Sequence, residues 1–169
     1  VDVEIPPLYL CPNAHEKRAL LASASCGLCG QREFDAALFD HHPPLAPARR
    51  LRLSQVSGLM ERMRAEQATF AQTGSTHAAA LFDADGALLC AFEDIGRHNA
   101  LDKAIGHVLE QGLAARAQVL AVSGRISFEI VSKAYRAGIP YLLAVSAPSS
   151  FAVDMSRRWG MTLVGYCRD

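Results

Sequence analysis

The sequence predicts an α/β protein, a three-layer α/β/α sandwich built on a mixed sheet. Between residues 76 and 165, short apolar runs typical of strands alternate with segments whose apolar residues have helical spacing. The first two runs are joined by Asp85-Gly86, a dipeptide typical of hairpin turns. A hairpin followed by alternating helices and strands combines antiparallel and parallel strand pairs, and helices cover both faces of such a sheet.

Each predicted element follows from a local pattern. Ser54 is the predicted N-cap of a helix that runs to about Gln67, because apolar residues follow at helical spacing. Glycines at 112, 138 and 160 mark the ends of the three later helices. The predicted strands are 76–82, 87–92, 118–122, 141–145 and 161–165, the later helices are 96–111, 127–137 and 149–159, and the upstream pattern adds a strand at 1–10 and a short helix at 31–39.

The composition narrows the functional classes. The chain has 169 residues, of which 50% are hydrophobic, and this is enough for a packed core. The formal net charge is zero, so no global field favours nucleic acid or a membrane surface. No apolar run approaches the ~20 residues that a membrane helix needs. The odd count of five cysteines argues against a complete disulfide framework and favours a reducing, cytoplasmic location.

The domain organisation is predicted from changes in these patterns. The chain starts without Met in the alternating stretch Val1-Asp2-Val3-Glu4-Ile5, which is typical of a cut inside a strand. We expect residues 1–25 to be the remnant of an N-terminal domain and residues 26–50 to hold a cysteine loop and a linker. Residues 51–169 are expected to form the sandwich domain.

Cys26 and Cys29 form a CxxC pair in a glycine-containing loop, which is flexible enough to present both sulfurs to another molecule. Three chemistries use this spacing: half of a zinc site, a dithiol redox pair, and a sulfur carrier. A redox dithiol favours a helix start inside a βαβ pattern, which this loop lacks. A carrier needs one nucleophilic thiol on a loop that can take up sulfur and hand it over.

A zinc site would draw on Cys26, Cys29, His77 and His98. Zinc deaminases on α/β sandwiches use an H-x-E sequence followed by P-C-x-x-C. In this chain the cysteines precede His77, and Ala79 stands where the essential Glu would be. We therefore expect no zinc.

Polar residues collect where the predicted strands end. In open α/β sheets, ligands bind beyond the carboxyl ends of the parallel strands. Helix N-termini bind phosphate through free N–H groups, and arginines hold it bidentately. The polar segments that follow the predicted strands therefore predict one cleft for an anionic, nucleotide-like ligand. The candidate ligand-binding residues are His77, Arg97, His98, Ser123, Arg125, Ser127, Ser146, Ser149, Tyr166, Cys167, Arg168 and Asp169.

Several of these residues also have a structural interpretation. Ser127 and Ser149 stand where helix N-caps are expected. Arg97 can form a salt bridge with Glu93 or Asp94 instead of binding a ligand. His77 can be a hydrogen-bonded structural residue at the start of its strand. The site interpretation is favoured because the segments are expected to meet at one edge of the sheet.

Six motifs in order resemble the formate dehydrogenase accessory sulfurtransferases, the FdhD family. The resemblance spans the chain from about residue 22 to the C-terminus. It implies a fold similar to that of cytidine deaminases without their zinc chemistry. The motifs are Cys26-Gly-Leu-Cys29-Gly, Thr76-His-Ala-Ala-Ala-Leu, Glu93-Asp-Ile-Gly-Arg-His-Asn-Ala-Leu-Asp-Lys103, Ser123-Gly-Arg-Ile-Ser-Phe-Glu129, Ala144-Val-Ser-Ala-Pro-Ser-Ser150 and Leu163-Val-Gly-Tyr-Cys167.

The resemblance also implies a function. The family takes sulfur from a cysteine desulfurase as a cysteine persulfide. It delivers the sulfur to the molybdenum cofactor, a bis(molybdopterin guanine dinucleotide), which formate dehydrogenase requires. By this resemblance Cys26 is the persulfide carrier and Cys29 is the second loop cysteine, and a guanine nucleotide is a partial mimic of the bound cofactor. We also expect a homodimer.

The family's cofactor-binding segment, F-x-x-x-G-R, would begin at Tyr166. We expect its Gly-Arg part, and the family's upstream domain, to lie outside the sequence. Two other functions stay open at this point. One is a non-catalytic chaperone that binds the cofactor and formate dehydrogenase without moving sulfur. The other is a zinc-dependent, deaminase-like hydrolase.

Overall fold

The computed structural model describes residues 43–47 and 50–167. All of them belong to Asp40–Asp169, the second of the two compact units into which the chain divides. The predicted strand at 1–10, the predicted helix at 31–39 and the cysteine loop lie outside the described residues. The predicted domain boundaries at 25 and 50 therefore stay predictions.

A five-stranded mixed sheet forms the middle layer, with the strand order β2-β1-β3-β4-β5. Strand β1 pairs antiparallel with both β2 and β3, whereas β3, β4 and β5 are mutually parallel. The hairpin predicted at Asp85-Gly86 joins β1 to β2. The strands are β1 (His77–Phe82), β2 (Leu88–Asp94), β3 (Val119–Val122), β4 (Tyr141–Ala144) and β5 (Thr162–Val164).

Five α-helices surround the sheet in the described part of the chain. They are α1 (Leu53–Ala65), α2 (Ala68–Thr73), α3 (Arg97–Glu110), α4 (Phe128–Arg136) and α5 (Ser150–Arg158), and a 3-10 turn lies at Ala114–Arg116. The glycines predicted to follow α3, α4 and α5 have left-handed φ angles of 66°, 74° and 68°, as helix-ending glycines do. No helix among the described residues is long and apolar enough to cross a membrane.

Different helices cover the two faces of the sheet. On one face, α1 places Leu59, Met60 and Met63 in a cluster with alternate strand residues such as Ala80 and Phe82. On the other face, α3 packs against β1 and β2, where the Cys90 thiol lies 3.6 Å from the Ala104 carbonyl oxygen. Helices α4 and α5 link the parallel strands and pack against each other. The predicted three-layer α/β/α sandwich is therefore confirmed.

The predicted start and end of the first helix were wrong. Arg52 is the N-cap, its backbone N–H donates to Gln55 Oε1 at 3.0 Å, and Ser54 lies inside the helix. The helix ends at Ala65, and the separate helix α2 follows, which the sequence pattern did not predict. The Glu93 carboxylate accepts hydrogen bonds from the backbone N–H groups of Thr69 and Phe70 in α2. This contact spans more than 20 residues, so no local sequence window contains it.

Trp159 is the largest fully buried side chain of the described residues, and we predict that Trp159→Ala costs about 3–5 kcal/mol of unfolding free energy. Its ring stacks on Tyr135 with centroids 4.5 Å apart and also packs on Phe128, so truncation leaves a cavity between α4 and α5. Urea unfolding followed by circular dichroism measures the change. Leu109→Ala is the control because Leu109 is 60% exposed. Equal midpoints for both variants would contradict the assignment of Trp159 to the core.

Candidate functional site

The strand directions bring five chain segments to one edge of the sheet. Since β1 is antiparallel to both of its neighbours, its amino end lies beside the carboxyl ends of β2 and β3. The carboxyl ends of β4 and β5 lie at the same edge because these strands are parallel to β3. We call this the carboxyl edge. It holds His77 and the segments that follow β2, β3, β4 and β5.

Arg97, His77 and Gly124 lie close together at the carboxyl edge. A Cβ atom placed on Gly124 would lie 3.3 Å from Arg97 Cδ and 3.5 Å from His77 Nδ1. The glycine therefore leaves room for the Arg97 stem to lie across the end of β3. Arg97 Nε is buried and has no hydrogen-bond partner among the residues that the structure describes. This arrangement is consistent with a guanidinium that is held in place mainly by packing.

The salt bridge considered for Arg97 does not form with either carboxylate within residues 50–167. Asp94 pairs with Lys103 instead, and it also accepts hydrogen bonds from Gly96 N and Asn99 Nδ2 at 2.9 and 3.1 Å. These bonds, that of Lys103 foremost, lower the pKa of Asp94 to about 2. The ionised Asp94 thus fixes the turn from β2 into α3. The Glu93 carboxylate instead accepts hydrogen bonds from α2 and from the Thr76 hydroxyl.

His98, Glu129 and Ser127 form a cluster between the first turns of α3 and α4, in which Ser127 is hydrogen-bonded to Glu129 and His98 lies beside the Glu129 carboxylate. His98 Nε2 lies 3.2 Å from Glu129 Oε2, and the Ser127 hydroxyl donates to the same oxygen at 2.8 Å. Burial lowers the pKa of His98 from its ordinary value of 6.5. The Glu129 carboxylate opposes this shift, and the positive charges of Arg97 and Lys133 reinforce it. His98 is therefore mostly neutral at pH 7.

The serines after β3 and β4 have different partners. The Ser149 hydroxyl accepts a hydrogen bond from Ala152 N at 3.2 Å, so the predicted N-cap of α5 is confirmed. Ser127 occupies the N-cap position of α4, but its hydroxyl bonds Glu129 rather than a backbone N–H. The Ser123 hydroxyl accepts from Ala78 N at 2.9 Å and ties β1 to the end of β3. The Ser146 carbonyl accepts from Tyr166 N.

The segment after β5 divides between the two faces of the sheet. Tyr166 is 64% exposed with a left-handed φ of 57°, which is uncommon for a residue with a side chain. It lines a cavity of about 270 Å³ together with Pro148, Gly165 and residues of α5. Cys167 instead lines an apolar cavity of about 190 Å³ beside α1. Burial raises the pKa of the Cys167 thiol.

The predicted site residues thus fall into separate groups. His77, Arg97, His98, Ser123 and Ser127 lie around the ends of β1, β2 and β3. Ser146, Ser149 and Tyr166 lie around the ends of β4 and β5, Arg125 is exposed between these two groups, and Cys167 faces α1. None of the residues lining the larger cavity comes from the segments after β2 or β3. One continuous cleft along the edge therefore stays a prediction.

Cys26, Cys29, Arg168 and Asp169 lie outside the described residues. Within residues 43–47 and 50–167, no three His, Cys, Asp or Glu side chains are grouped as a metal site. Because the loop cysteines lie outside these ranges, the expected absence of zinc stays a prediction.

Two residues at the edge, Glu129 and Gly124, were not predicted from the sequence. Glu129 was part of a motif, yet its role as the common partner of His98 and Ser127 depends on contacts between two helices. The sequence held a signal of this contact, because residues 98 and 129 occupy the second position of their helices. Four residues later in each helix, Asp102 and Lys133 form a second interhelical pair at 2.6 Å. Gly124 was missed because its neighbours are remote in the chain.

The fold places the chain among the deaminase-like α/β sandwiches. A guanine deaminase from Nitrosomonas europaea superposes with a TM-score of 0.52 over 72% of this chain and 81% of that chain. The two sequences are 16% identical, so the likeness concerns the fold alone.

The chain belongs to the FdhD/NarQ family, whose model matches residues 7–169. Curated proteins named "Sulfur carrier protein FdhD" are 46% identical to it in Streptomyces coelicolor, over 99% of this chain, and 45% identical in Thermoplasma acidophilum, over 88%. A crystal structure described as a formate dehydrogenase accessory protein, from Desulfotalea psychrophila, superposes with a TM-score of 0.70. It is 29% identical and covers 79% of this chain and 57% of that chain. The chain spans 61% of the Streptomyces coelicolor protein.

We predict that the low pKa of His98 makes the fold less stable in mild acid. The unfolded chain binds a proton at His98 near pH 6.5, whereas the folded chain binds it only at lower pH. The stabilisation is therefore complete above about pH 6.5 and is lost as pH falls through the folded pKa. Urea unfolding at a series of pH values measures this. His98→Asn is the control and should lose less stability between pH 7 and 5; equal losses in both proteins would refute the shift.

Proposed function

We propose that this protein is a sulfur carrier that takes sulfur from a cysteine desulfurase as a persulfide on Cys26. The acceptor is the molybdenum cofactor, the bis(molybdopterin guanine dinucleotide) required by formate dehydrogenase. The observation that carries the proposal is the 46% identity, over 99% of the chain, to proteins named as sulfur carriers. A CxxC pair in a glycine-containing loop suits this chemistry, and we place the protein in the cytoplasm as a homodimer.

The loading step is a thiolate exchange. The Cys26 thiolate attacks the outer sulfur of the persulfide on the desulfurase, the S–S bond of that persulfide breaks, and the desulfurase thiolate leaves. Cys26 then carries the outer sulfur, and no external oxidant or reductant is consumed. Cys29 is the second loop thiol, and its attack on the Cys26 sulfur would break the persulfide S–S bond, form a Cys26–Cys29 disulfide and release the outer sulfur as hydrosulfide. The acceptor cofactor is bound at the carboxyl edge while the sulfur is delivered.

The geometry of the carboxyl edge supports a nucleotide-like acceptor. Arg97 forms no ion pair with Glu93 or Asp94, its stem is held against Gly124, and His77 lies beside it. Helices α3, α4 and α5 all begin at this edge, so their first N–H groups favour anionic groups. Phosphates of the guanine dinucleotide are groups of this kind. Arg125, which is exposed in the next segment, is a second candidate for contact with them.

We predict that Cys26 gains one sulfur atom when this chain is incubated with a cysteine desulfurase and cysteine. Intact-mass spectrometry followed by peptide mapping locates the added sulfur. Cys26→Ala should gain none at position 26 and should fail to activate formate dehydrogenase in a cell that lacks its own accessory protein. Cys29→Ala is the matched comparison and should impair activation less or equally.

The outcomes separate the candidate functions. An active Cys26→Ala with an inactive Cys29→Ala would assign the persulfide-carrier role to Cys29 and the secondary role to Cys26. Activation by both variants would refute sulfur transfer and favour the chaperone that binds the cofactor without moving sulfur.

We predict that Arg97→Ala weakens guanosine diphosphate binding about tenfold or more, and that Arg125→Ala has a similar effect. A charged hydrogen bond contributes roughly 1.5–3 kcal/mol, and 1.4 kcal/mol is a factor of ten in affinity. Isothermal titration calorimetry measures the change. The control is Arg136→Ala, because Arg136 is exposed at the last residue of α4, away from the carboxyl edge. An arginine whose removal leaves the affinity unchanged does not belong to the site.

A further inference from the structure

Gly124 follows β3 by two residues and is buried at the point where two other elements reach the carboxyl edge. A Cβ atom placed on it would lie 3.3 Å from Arg97 Cδ, 3.4 Å from Arg97 Cβ and 3.5 Å from His77 Nδ1. Arg97 is the first residue of α3 and His77 is the first residue of β1, so both are remote from the glycine in the chain. The proposed function assigns roles to Arg97 and His77 but none to Gly124.

We propose that Gly124 is a positioning residue for Arg97. Because Gly124 has no side chain, the Arg97 stem can lie across the end of β3, and this position directs the guanidinium to a phosphate group of the bound nucleotide. The inference rests on the proposed function and refines it, because it names the contact that places the phosphate-binding arginine.

The backbone at Gly124 does not itself require a glycine. Within the described residues, the glycines with left-handed φ angles are those at 74, 86, 112, 138 and 160, and Gly124 is not among them. Gly112 and Gly138 are the opposite case: their φ angles are 66° and 74°, but a Cβ there would meet no atom of the described residues within 4 Å beyond its chain neighbours. Those two glycines serve the backbone conformation, whereas at Gly124 only the space for a side chain is restricted.

A methyl group at position 124 would displace the arginine stem. Carbon atoms in good contact are about 3.5–4.0 Å apart, so distances of 3.3 and 3.4 Å to two stem atoms are slightly too short. Arg97 Cβ is attached to the backbone of α3 and moves only with that helix, so the adjustment falls on the outer part of the stem. The guanidinium lies beyond Cδ and therefore changes its direction when the stem rotates.

Packing sets the direction of the Arg97 guanidinium because no hydrogen bond from the described residues holds its Nε. The carboxylates of Glu93 and Asp94, the nearest in sequence, are bonded to other groups. Phosphate binding is sensitive to this direction, because a guanidinium holds an oxyanion through two parallel N–H groups. A rotation of the stem would misalign these two hydrogen bonds.

The test measures guanosine diphosphate binding to the whole chain by isothermal titration calorimetry. Gly124→Ala should weaken binding about tenfold, as Arg97→Ala does, because both variants lose the charged hydrogen bond from Arg97. Gly106→Ala is the matched control, since Gly106 lies in α3 without a left-handed φ, and a Cβ there would meet no atom of the described residues within 4 Å beyond its own helix. We expect this control to bind like the wild type.

A double variant shows whether Gly124 acts through Arg97. If it does, Gly124→Ala combined with Arg97→Ala should bind guanosine diphosphate as Arg97→Ala does, because the arginine that the methyl group would displace is already gone. Two independent effects would instead multiply to about a hundredfold loss. Damage to the fold by the added methyl group would persist in the double variant, so this cycle separates positioning from a general structural defect.

The Arg97 Nε–H signal in a proton–nitrogen NMR spectrum gives a readout that needs no nucleotide. The signal is assigned by its absence from Arg97→Ala, and Gly124→Ala should shift it whereas Gly106→Ala should not. In the wild type, a nuclear Overhauser effect should join the Gly124 Hα protons to the Arg97 Hδ protons, and guanosine diphosphate should shift the Nε–H signal. These wild-type measurements decide the matter if Gly124→Ala does not fold.

Four results would overturn the inference. The first is a Gly124→Ala variant that binds guanosine diphosphate like the wild type while Arg97→Ala binds it more weakly, a result that leaves the phosphate-binding role of Arg97 intact. The others are a multiplied loss in the double variant, an Arg97 Nε–H signal that Gly124→Ala does not shift, and a wild type without the Overhauser effect.

Failure of the proposed nucleotide site gives a different result. In that case the wild type binds no guanosine diphosphate, or Arg97→Ala binds it like the wild type, and the inference fails together with the site. The mass of Cys26 would still test the sulfur-carrier proposal separately.

Discussion

The position of β1 between β2 and β3 is the constraint on which the carboxyl edge depends. Its residues from Ala78 to Phe82 are almost completely buried, and its backbone pairs with a neighbour on both sides. Because both pairings are antiparallel, the amino end of β1 lies among the carboxyl ends of its neighbours. His77 thereby reaches Gly124 and Arg97, which are remote from it in the chain. Small residues at 78, 79 and 80 let helices pack closely on both faces of this central strand.

The charges at this edge are organised as local pairs rather than as a cationic surface. Asp94 pairs with Lys103 and Asp102 with Lys133, while the Glu129 carboxylate lies beside the mostly neutral His98. Partly exposed pairs of this kind contribute little to stability, so their main effect here is to orient α3 and α4. Arg97 differs from these paired residues because packing fixes its stem, while the neighbouring carboxylates Glu93 and Asp94 already have other partners. A chain of zero net charge can in this way still present a localised positive group.

The shared fold with a guanine deaminase does not imply shared chemistry. Ala79 occupies the position at which the H-x-E motif would place its acid, and it is fully buried in the middle of β1. A methyl group there supplies no proton-transfer group. The same sandwich can therefore carry a different reaction, since the layers fix where the strand ends lie and the side chains at those ends decide the chemistry.

The sequence by itself determined the order and type of most elements, because apolar periodicity and helix-ending glycines are local signals. It also determined the family, since the motifs around Cys26, Arg97 and Arg125 are read directly from the chain. Only the tertiary structure decided that Asp94 pairs with Lys103, that His98 and Ser127 share Glu129, and that Glu93 is the partner of α2. Tyr166 and Cys167, adjacent in sequence, likewise separate to opposite faces. These choices depend on which strand ends and helix starts become neighbours, and that is set by the packing of the whole domain rather than by any local segment.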